Sequence, residues 1–184
     1  QRSLALATEI NDLDGIARGL NNVAAVYGNK GDSQNFKSYL KEAIEINKKI
    51  GNRLWEGINY LNLGSLYKNE KSYDTSFYYY NAAAVIFKEL NNLTKLAAVY
   101  NNFSMYYSDL NQQDSSLYYA KLAYDIGQKN NLKKTVYNAA ILLHELYKNK
   151  NDINNAYQYS TIHYQMRDSL DIENKMTRLS QLEL

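Results

Sequence analysis

Tyrosine recurs at two positions every 40 residues: Tyr27, Tyr67, Tyr107 and Tyr147 form one series, and Tyr39, Tyr79, Tyr119 and Tyr159 the other. Asn22, Asn62 and Asn102 keep the same interval, as do Ala43, Ala83 and Ala123. Several families of positions in one register mean tandem structural units. A unit of this length cannot cover its own apolar face, so neighbours must stack to bury it. The periodicity therefore confines the chain to array architectures.

Each unit divides into two amphipathic halves. In the second unit Ile58, Leu61, Leu63, Leu66 and Tyr67 fall at helical spacing, and Phe77, Tyr80, Ala83, Ala84 and Phe87 carry a second helix. Asn69 to Ser72 is polar and interrupts the pattern. The spacing predicts helices near 14–29, 34–50, 54–69, 74–90, 94–109, 115–129, 133–149 and 153–167, a partial helix at about 2–10, and a further one from about 169. Gly51-Asn52, Asn91-Asn92 and Asn130-Asn131 read as helix ends, where Gly and Asn tolerate left-handed backbone. Asp32, Asp74, Asp114 and Asp152 sit where a carboxylate can accept from the free N–H groups of a second helix.

Composition narrows the chemistry. The 184 residues include no Cys, which removes disulfides, thiolate metal sites and cysteine nucleophiles. They include no Pro, where ordinary usage gives roughly nine, as expected of helices joined by Gly, Asn and Asp turns. A net charge of +2 disfavours duplex DNA or an anionic membrane as a bulk partner. No apolar run approaches the roughly 18 residues of a spanning helix, and no signal peptide is visible. The chain opens directly in helical pattern with Leu4, Ala5, Ala7 and Ile10, as expected of a segment taken from within a longer protein.

The unit resembles the tetratricopeptide repeat in a form of about 40 residues rather than 34. The family's first-helix pattern reads here as Tyr60, Asn62, Leu63, Gly64, Tyr67, as Tyr100, Asn102, Phe103, Ser104, Tyr107, and as Leu20, Asn22, Val23, Ala24, Tyr27. Its second-helix pattern reads as Ser76, Tyr79, Tyr80, Ala83 and as Ser116, Tyr119, Ala120, Ala123. The fourth unit departs, with Leu142 for Asn, His144 for the small residue and His163 for the Ala. The resemblance implies an all-α, right-handed superhelical solenoid of antiparallel hairpins, with repeats at about 13–52, 53–92, 93–131 and 132–167 after a partial helix in 1–12. Residues 168–184 would form a capping helix or a linker to a further domain. The family's closing Pro is missing throughout, which predicts longer second helices. The small residues Ala24, Gly64 and Ser104 let the helices of a hairpin approach, so a bulky His144 predicts a splayed last hairpin or a different cover for it.

The resemblance also implies where function sits. Family members bind peptides or protein segments on the concave surface of the first helices. Their Asn faces that groove and can bond a ligand's backbone amide through both C=O and NH₂. By position this role falls to Asn22, Asn62 and Asn102. Arg18, Ala25, Asn29, Ile58, Ser65, Asn69, Ala98, Met105, Asp109, Asn138 and Glu145 would share the face. The lining is polar and weakly charged, which suits an extended backbone better than an anionic tail. The competing reading is that these Asn residues are solvated or bond between adjacent helices.

Other candidates carry less. His144 and Glu145 are adjacent on a helix and diverge by about 100°, and His144 and His163 lack a third ligand, so packing outweighs metal binding. Tyr78-Tyr79-Tyr80 resembles an aromatic nucleic-acid platform, but successive helical residues face different ways and Tyr79 belongs to the repeat. Lys48-Lys49 and Lys133-Lys134 read as solvated helix ends. No phosphate loop, nucleophile motif or paired carboxylates occur. The expectation is a non-catalytic module without cofactor or metal.

The segment 164–184 loses the repeat motif. Asp168 or Ser169 can cap a new helix, with Ile172, Met176, Leu179 and Leu182 on one stripe, as in a capping helix or the start of a coiled coil through which the chain could dimerise. Arg167-Asp168-Ser169-Leu170, with Glu173, Lys175 and Leu182-Glu183, looks like a junction in Bacteroidetes signalling proteins. There a tetratricopeptide sensor runs into a long helix and then a kinase or DNA-binding output domain. That resemblance implies a sensory module outside the cytoplasm. A passive assembly adaptor and a cytoplasmic regulator answering a peptide pheromone are the alternatives.

Overall fold

The computed structural model describes residues 2–182; for residues 2–4, 6, 179, 180 and 182 only the backbone course is described. The described residues form helices and turns only. They are α1 (Arg2–Glu9), α2 (Leu13–Asn29), α3 (Ser33–Lys49), α4 (Arg53–Asn69), α5 (Tyr73–Glu89), α6 (Leu93–Asp109), α7 (Gln113–Lys129), α8 (Lys133–Asn149) and α9 (Ile153–Leu182). The chain divides into two compact units, Gln1–Asn92 and Leu93–Leu184. In the first, α1 packs on α2, and α2, α3, α4 and α5 pack each on the next. In the second, α6, α7, α8 and α9 do the same, and α6 also touches α8.

A 20-residue module lies beneath the 40-residue period. Helices α2 to α8 are each 17 residues long and are separated by three-residue turns. In the first three hairpins first and second helices are therefore equal in length, and the missing Pro does not lengthen α3, α5 or α7 relative to their partners. The middle residue of every turn has positive φ: Asn11, Gly31, Gly51, Lys71, Asn91, Asn111, Asn131 and Asn151, at 47° to 73°. The next N–H closes each turn onto a carbonyl five residues back, at 2.8–3.0 Å. Left-handed backbone with this bond satisfies the orphan carbonyls of a helix end. Gly51 and Asn91 hold the left-handed position of their pairs; in the third pair it is Asn131, not Asn130.

The closing residue of the turn also starts the following helix. Asp32 accepts from the Asn35 N–H at 3.1 Å, and Asp152 accepts from that of Asn155 at 3.1 Å. These bonds hold both carboxylates below the usual range, with the Asn35 and Asn155 side-chain amides as the largest cause. Asp12 and Asn52 cap α2 and α4 in the same way. Asp74 and Asp114 do not cap. They lie one residue inside their helices behind Ser72 and Gln112, and Asp114 pairs with Lys150 at 2.7 Å.

Small residues set the hairpin contacts. A Cβ on Gly64 would lie 2.5 Å from the buried Tyr80 ring, so only hydrogen fits there. The Ser76 hydroxyl donates to the Gly64 carbonyl at 2.8 Å, and Ser116 donates to Ser104 likewise at 2.8 Å. In the fourth hairpin one side is large. His144 bonds the Ala156 carbonyl through Nδ1 at 2.9 Å, and Ala156 stands where the second and third hairpins have Ser76 and Ser116. Helix α9 packs along α8 as extensively as any hairpin pair. His144 is thus accommodated without splaying, opposite the small Ala156 whose carbonyl it bonds.

Ala43, Ala83 and Ala123 are fully buried. In the second unit Ala123 meets Ala97 and Ala139, where α7 lies close to both α6 and α8. The Tyr78-Tyr79-Tyr80 run splits as helical geometry requires: Tyr80 is buried, Tyr79 half-buried, and Tyr78 exposed.

Helix α9 is continuous for 30 residues. Asp168 and Ser169 therefore cap no new helix. Thr161 and Thr177 direct their hydroxyls to carbonyls one turn back, within an unbroken ladder. The Lys133–Glu173 ion pair ties the start of α8 to this extension. Ile172 and Met176 are exposed; the side chains of Leu4, Leu179 and Leu182, and Glu183 altogether, lie outside the described residues. No described helix is long and apolar enough to cross a membrane.

Candidate functional site

In the first unit, α2 and α4 form two walls of a groove with Phe36 of α3 between them. One part, of about 210 Å³, is lined by Asn21, Asn22, Ala25, Phe36, Leu40, Trp55, Asn59 and Asn62. The other, of about 240 Å³, is lined by Gly28, Gly31, Ser33, Phe36, Asn62, Ser65, Leu66 and Asn69. Phe36 and Asn62 belong to both. Asn22 also borders a recess with Val23, Val26, Tyr27 and Lys30. The structure thus brings Asn22, Ala25, Asn62, Ser65 and Asn69 together on one surface. Helical spacing accounts for it, since 62, 65 and 69 fall on one stripe of α4.

The side chains are placed from below. Ser65 donates to the Leu61 carbonyl at 3.0 Å and lies 3.3 Å from the Tyr80 hydroxyl, which reaches through beneath Gly64. No charged residue lines either part of the groove. Arg53 holds the buried Glu56 and the exposed Glu89, each at 2.7 Å, and Arg18 is exposed and paired with Asp14 at 3.0 Å. Arg18, Asn29 and Ile58 do not line these parts of the groove.

In the second unit Asn102 is half-buried on α6 and donates to the Ala98 carbonyl at 2.9 Å. Its amide N–H is thus engaged by its own helix. Met105 and Asp109 are exposed on α6, and Asn138 and Glu145 on α8. Glu145 lies 3.6 Å from His144 Nε2, closer than helical divergence alone suggested. His163 stacks on Tyr137, with ring centroids 4.8 Å apart. Burial first, then the charges of Arg167 and His144, depresses its basicity. Among the described residues no three His, Asp or Glu side chains gather as a metal would need.

Trp55 and Asn59 are among the groove residues that escaped sequence reasoning. Trp55 is partly exposed at one end of the groove, and Asn59 lies almost fully buried in its lining. Neither belongs to a repeating family of positions, so periodicity carried no signal for them. Being the single Trp of the chain was the one available hint.

Residues 17–50, from within α2 through α3, match the tetratricopeptide repeat family. That stretch reads as one tetratricopeptide repeat, and the helices around it share the fold of such arrays. Such repeats are protein-interaction modules. The structure is similar to that of BtubC from P. vanneervenii, with a TM-score of 0.71 at 20% identity over 86% of this chain and 66% of that one. It is similar to a Signal Transduction ATPase with Numerous Domains from Pyrococcus horikoshii, which carries a tetratricopeptide repeat sensor (TM-score 0.73, 22% identity, 98% of this chain and 28% of that one). It is also similar to the apo form of RapI (TM-score 0.71, 18% identity, 91% and 61%). The chain spans less than two thirds of each of these proteins. At such identities the likeness shows the fold. No curated protein matches the sequence.

Proposed function

We propose that this chain is a non-catalytic tetratricopeptide-repeat module that holds an extended peptide or protein segment, and that it is the sensory or interaction part of a signal-transduction or regulatory protein. The observation that carries the reading is the groove of the first unit. Asn22 from α2 and Asn62 from α4 border one uncharged channel, each with a carboxamide able to donate and accept at once. An extended backbone presents the complementary pairs. The tetratricopeptide repeat sensor of the Pyrococcus horikoshii protein supports the sensory role over a passive adaptor. In the second unit Asn102 would present its carboxamide on α6 in the same way, with Met105, Asp109 and Asn138 flanking it.

The test is binding of a cognate peptide, selected by display against the full chain, to Asn22→Ala, Asn62→Ala and Asn102→Ala variants. Losing one amide bond should weaken binding by about 0.5–1.5 kcal/mol per residue. Unchanged affinity in both Asn22→Ala and Asn62→Ala would remove the groove from the account.

A further inference from the structure

We infer that the first unit's groove contains a side-chain subsite built on Trp55 and Asn59. Its occupant is an extended peptide segment that is uncharged where it touches the groove and sets a large apolar side chain against Trp55. This rests on the groove reading above and adds the chemistry of the segment.

Asn59 lines the groove, is 1% exposed, and has no hydrogen-bond partner at either Oδ1 or Nδ2. Asn21 Oδ1, from the α2 wall, is buried and unpartnered as well. A buried carboxamide without partners opposes folding, and an apolar side chain of the same branching would avoid that cost. Its place in the lining is explained if the missing partner arrives with the ligand and the side chain turns to meet it. A carboxamide offers an acceptor and donors on adjacent atoms, so the complement is a peptide group. A carboxylate would answer only the donors and an ammonium only the acceptor.

The rest of the lining agrees. With no charged side chain present, a charged ligand group would lose its hydration and gain no counter-charge. The apolar portion comes from Phe36, Leu40, Ala25 and Trp55, a residue 37% exposed. A partly bare indole beside small and aliphatic neighbours fits a large apolar side chain.

Asn47 on α3 supplies the internal control. It too is buried and unpartnered at both side-chain atoms, and it does not line the groove. Because the chain has a single Trp, Trp55 emission reports the subsite directly.

The experiment titrates the full chain with a position-scanning library of N-acetylated, C-amidated octapeptides in neutral, acidic and basic pools. Neutral pools with Phe, Leu or Ile at one fixed position should bind and shift the Trp55 emission. Asn59→Leu should weaken the best neutral peptide at least about tenfold while leaving the melting temperature unchanged or higher. Asn59→Ala should weaken it similarly and serves if the Leu variant does not fold. Asn47→Leu should hold or raise the melting temperature and leave affinity within about twofold. Preference for charged pools, unchanged affinity in the Asn59 variants, or equal loss in Asn47→Leu would overturn the subsite. A peptide that depends on Asn62 but not on Asn59 would overturn it and leave the groove reading standing. Binding by no pool would overturn both.

Discussion

Tyr67 and Tyr79 face each other across the α4–α5 hairpin with ring centroids 5.5 Å apart and planes 8° from parallel. The same stack recurs between Tyr27 and Tyr39 at 5.4 Å, Tyr107 and Tyr119 at 5.4 Å, and Tyr147 and Tyr159 at 5.6 Å. The two tyrosine series in the sequence are thus the two halves of one repeated contact. Each first-series tyrosine also supplies the carbonyl that closes its helix end. The carbonyl belongs to the backbone, and the equivalent one comes from Asn47, Phe87 and Gly127 at the ends of the second helices, so the regularity of the tyrosine rests on the stack. A double-mutant cycle with Tyr67→Leu and Tyr79→Leu, read by chemical denaturation, should give a coupling of about 0.5–1.5 kcal/mol, the usual worth of an aromatic pair beyond its buried area. Strict additivity would mean that the rings merely fill space. Lys37 adds to the site, with its ammonium 5.0 Å above the Tyr67 ring and 2.8 Å from Glu70.

Close approach at Gly64 leads to a second prediction. Gly64→Ala gains about 1 kcal/mol in helix propensity, but the new methyl would lie 2.5 Å from Tyr80 Cδ1 and 2.7 Å from Cε1. Tyr80 is fully buried and cannot swing away. The net effect should be a loss of about 1–3 kcal/mol, the range for overpacked cores. Gly28→Ala, whose methyl would meet only Phe36 at 3.1 Å, should be milder. Equal effects in thermal melts would count against the steric account.

The turns yield a third prediction, in the opposite direction. Lys71 occupies the left-handed position at φ 60°, where the other turns use Gly or Asn. Left-handed backbone costs an ordinary residue roughly 1–2 kcal/mol, and Gly returns part of that in unfolded-state entropy. Lys71→Gly should therefore stabilise the chain by about 0.5–1 kcal/mol. Gly31→Ala, at φ 73° with open space around it, should destabilise it through backbone strain alone. A lower melting temperature for Lys71→Gly would contradict the strain argument.

These residues show what the sequence made legible. Repetition exposed the hairpins, the tyrosine series and the close-approach positions, because every unit solves the same packing problem with the same residue types. Asn22 and Asn62 could be assigned to one face for that reason. Compensation between non-identical partners stayed hidden. His144 looked disruptive by itself, and only the pairing with Ala156 shows that the hairpin closes normally. Asp168 and Ser169 looked like a cap, yet both residue types are also tolerated within a helix, and nothing local forced a break in α9. Asn59 and Trp55 have no counterparts in other units, so the residues that distinguish this groove were the ones periodicity could not mark.

The second unit should weaken in mild acid through His163. Its ring stacks on Tyr137 of α8, its Nδ1 is buried without a partner, and Arg167 and His144 add positive charge nearby. Its pKa is lowered from the usual 6.5, with burial as the largest cause. The unfolded chain then binds the proton more readily than the folded one, so stability is fully present above about 6.5 and falls as pH drops through the folded-state value. The melting temperature should thus decrease between about pH 7.5 and pH 5.5. His163→Phe keeps a ring against Tyr137 and removes the titrating group, so it should flatten this part of the profile. His144 is present in both proteins, so the difference between the two curves isolates His163. Superimposable pH profiles for the native chain and His163→Phe would show that protonation of this ring does not oppose the fold.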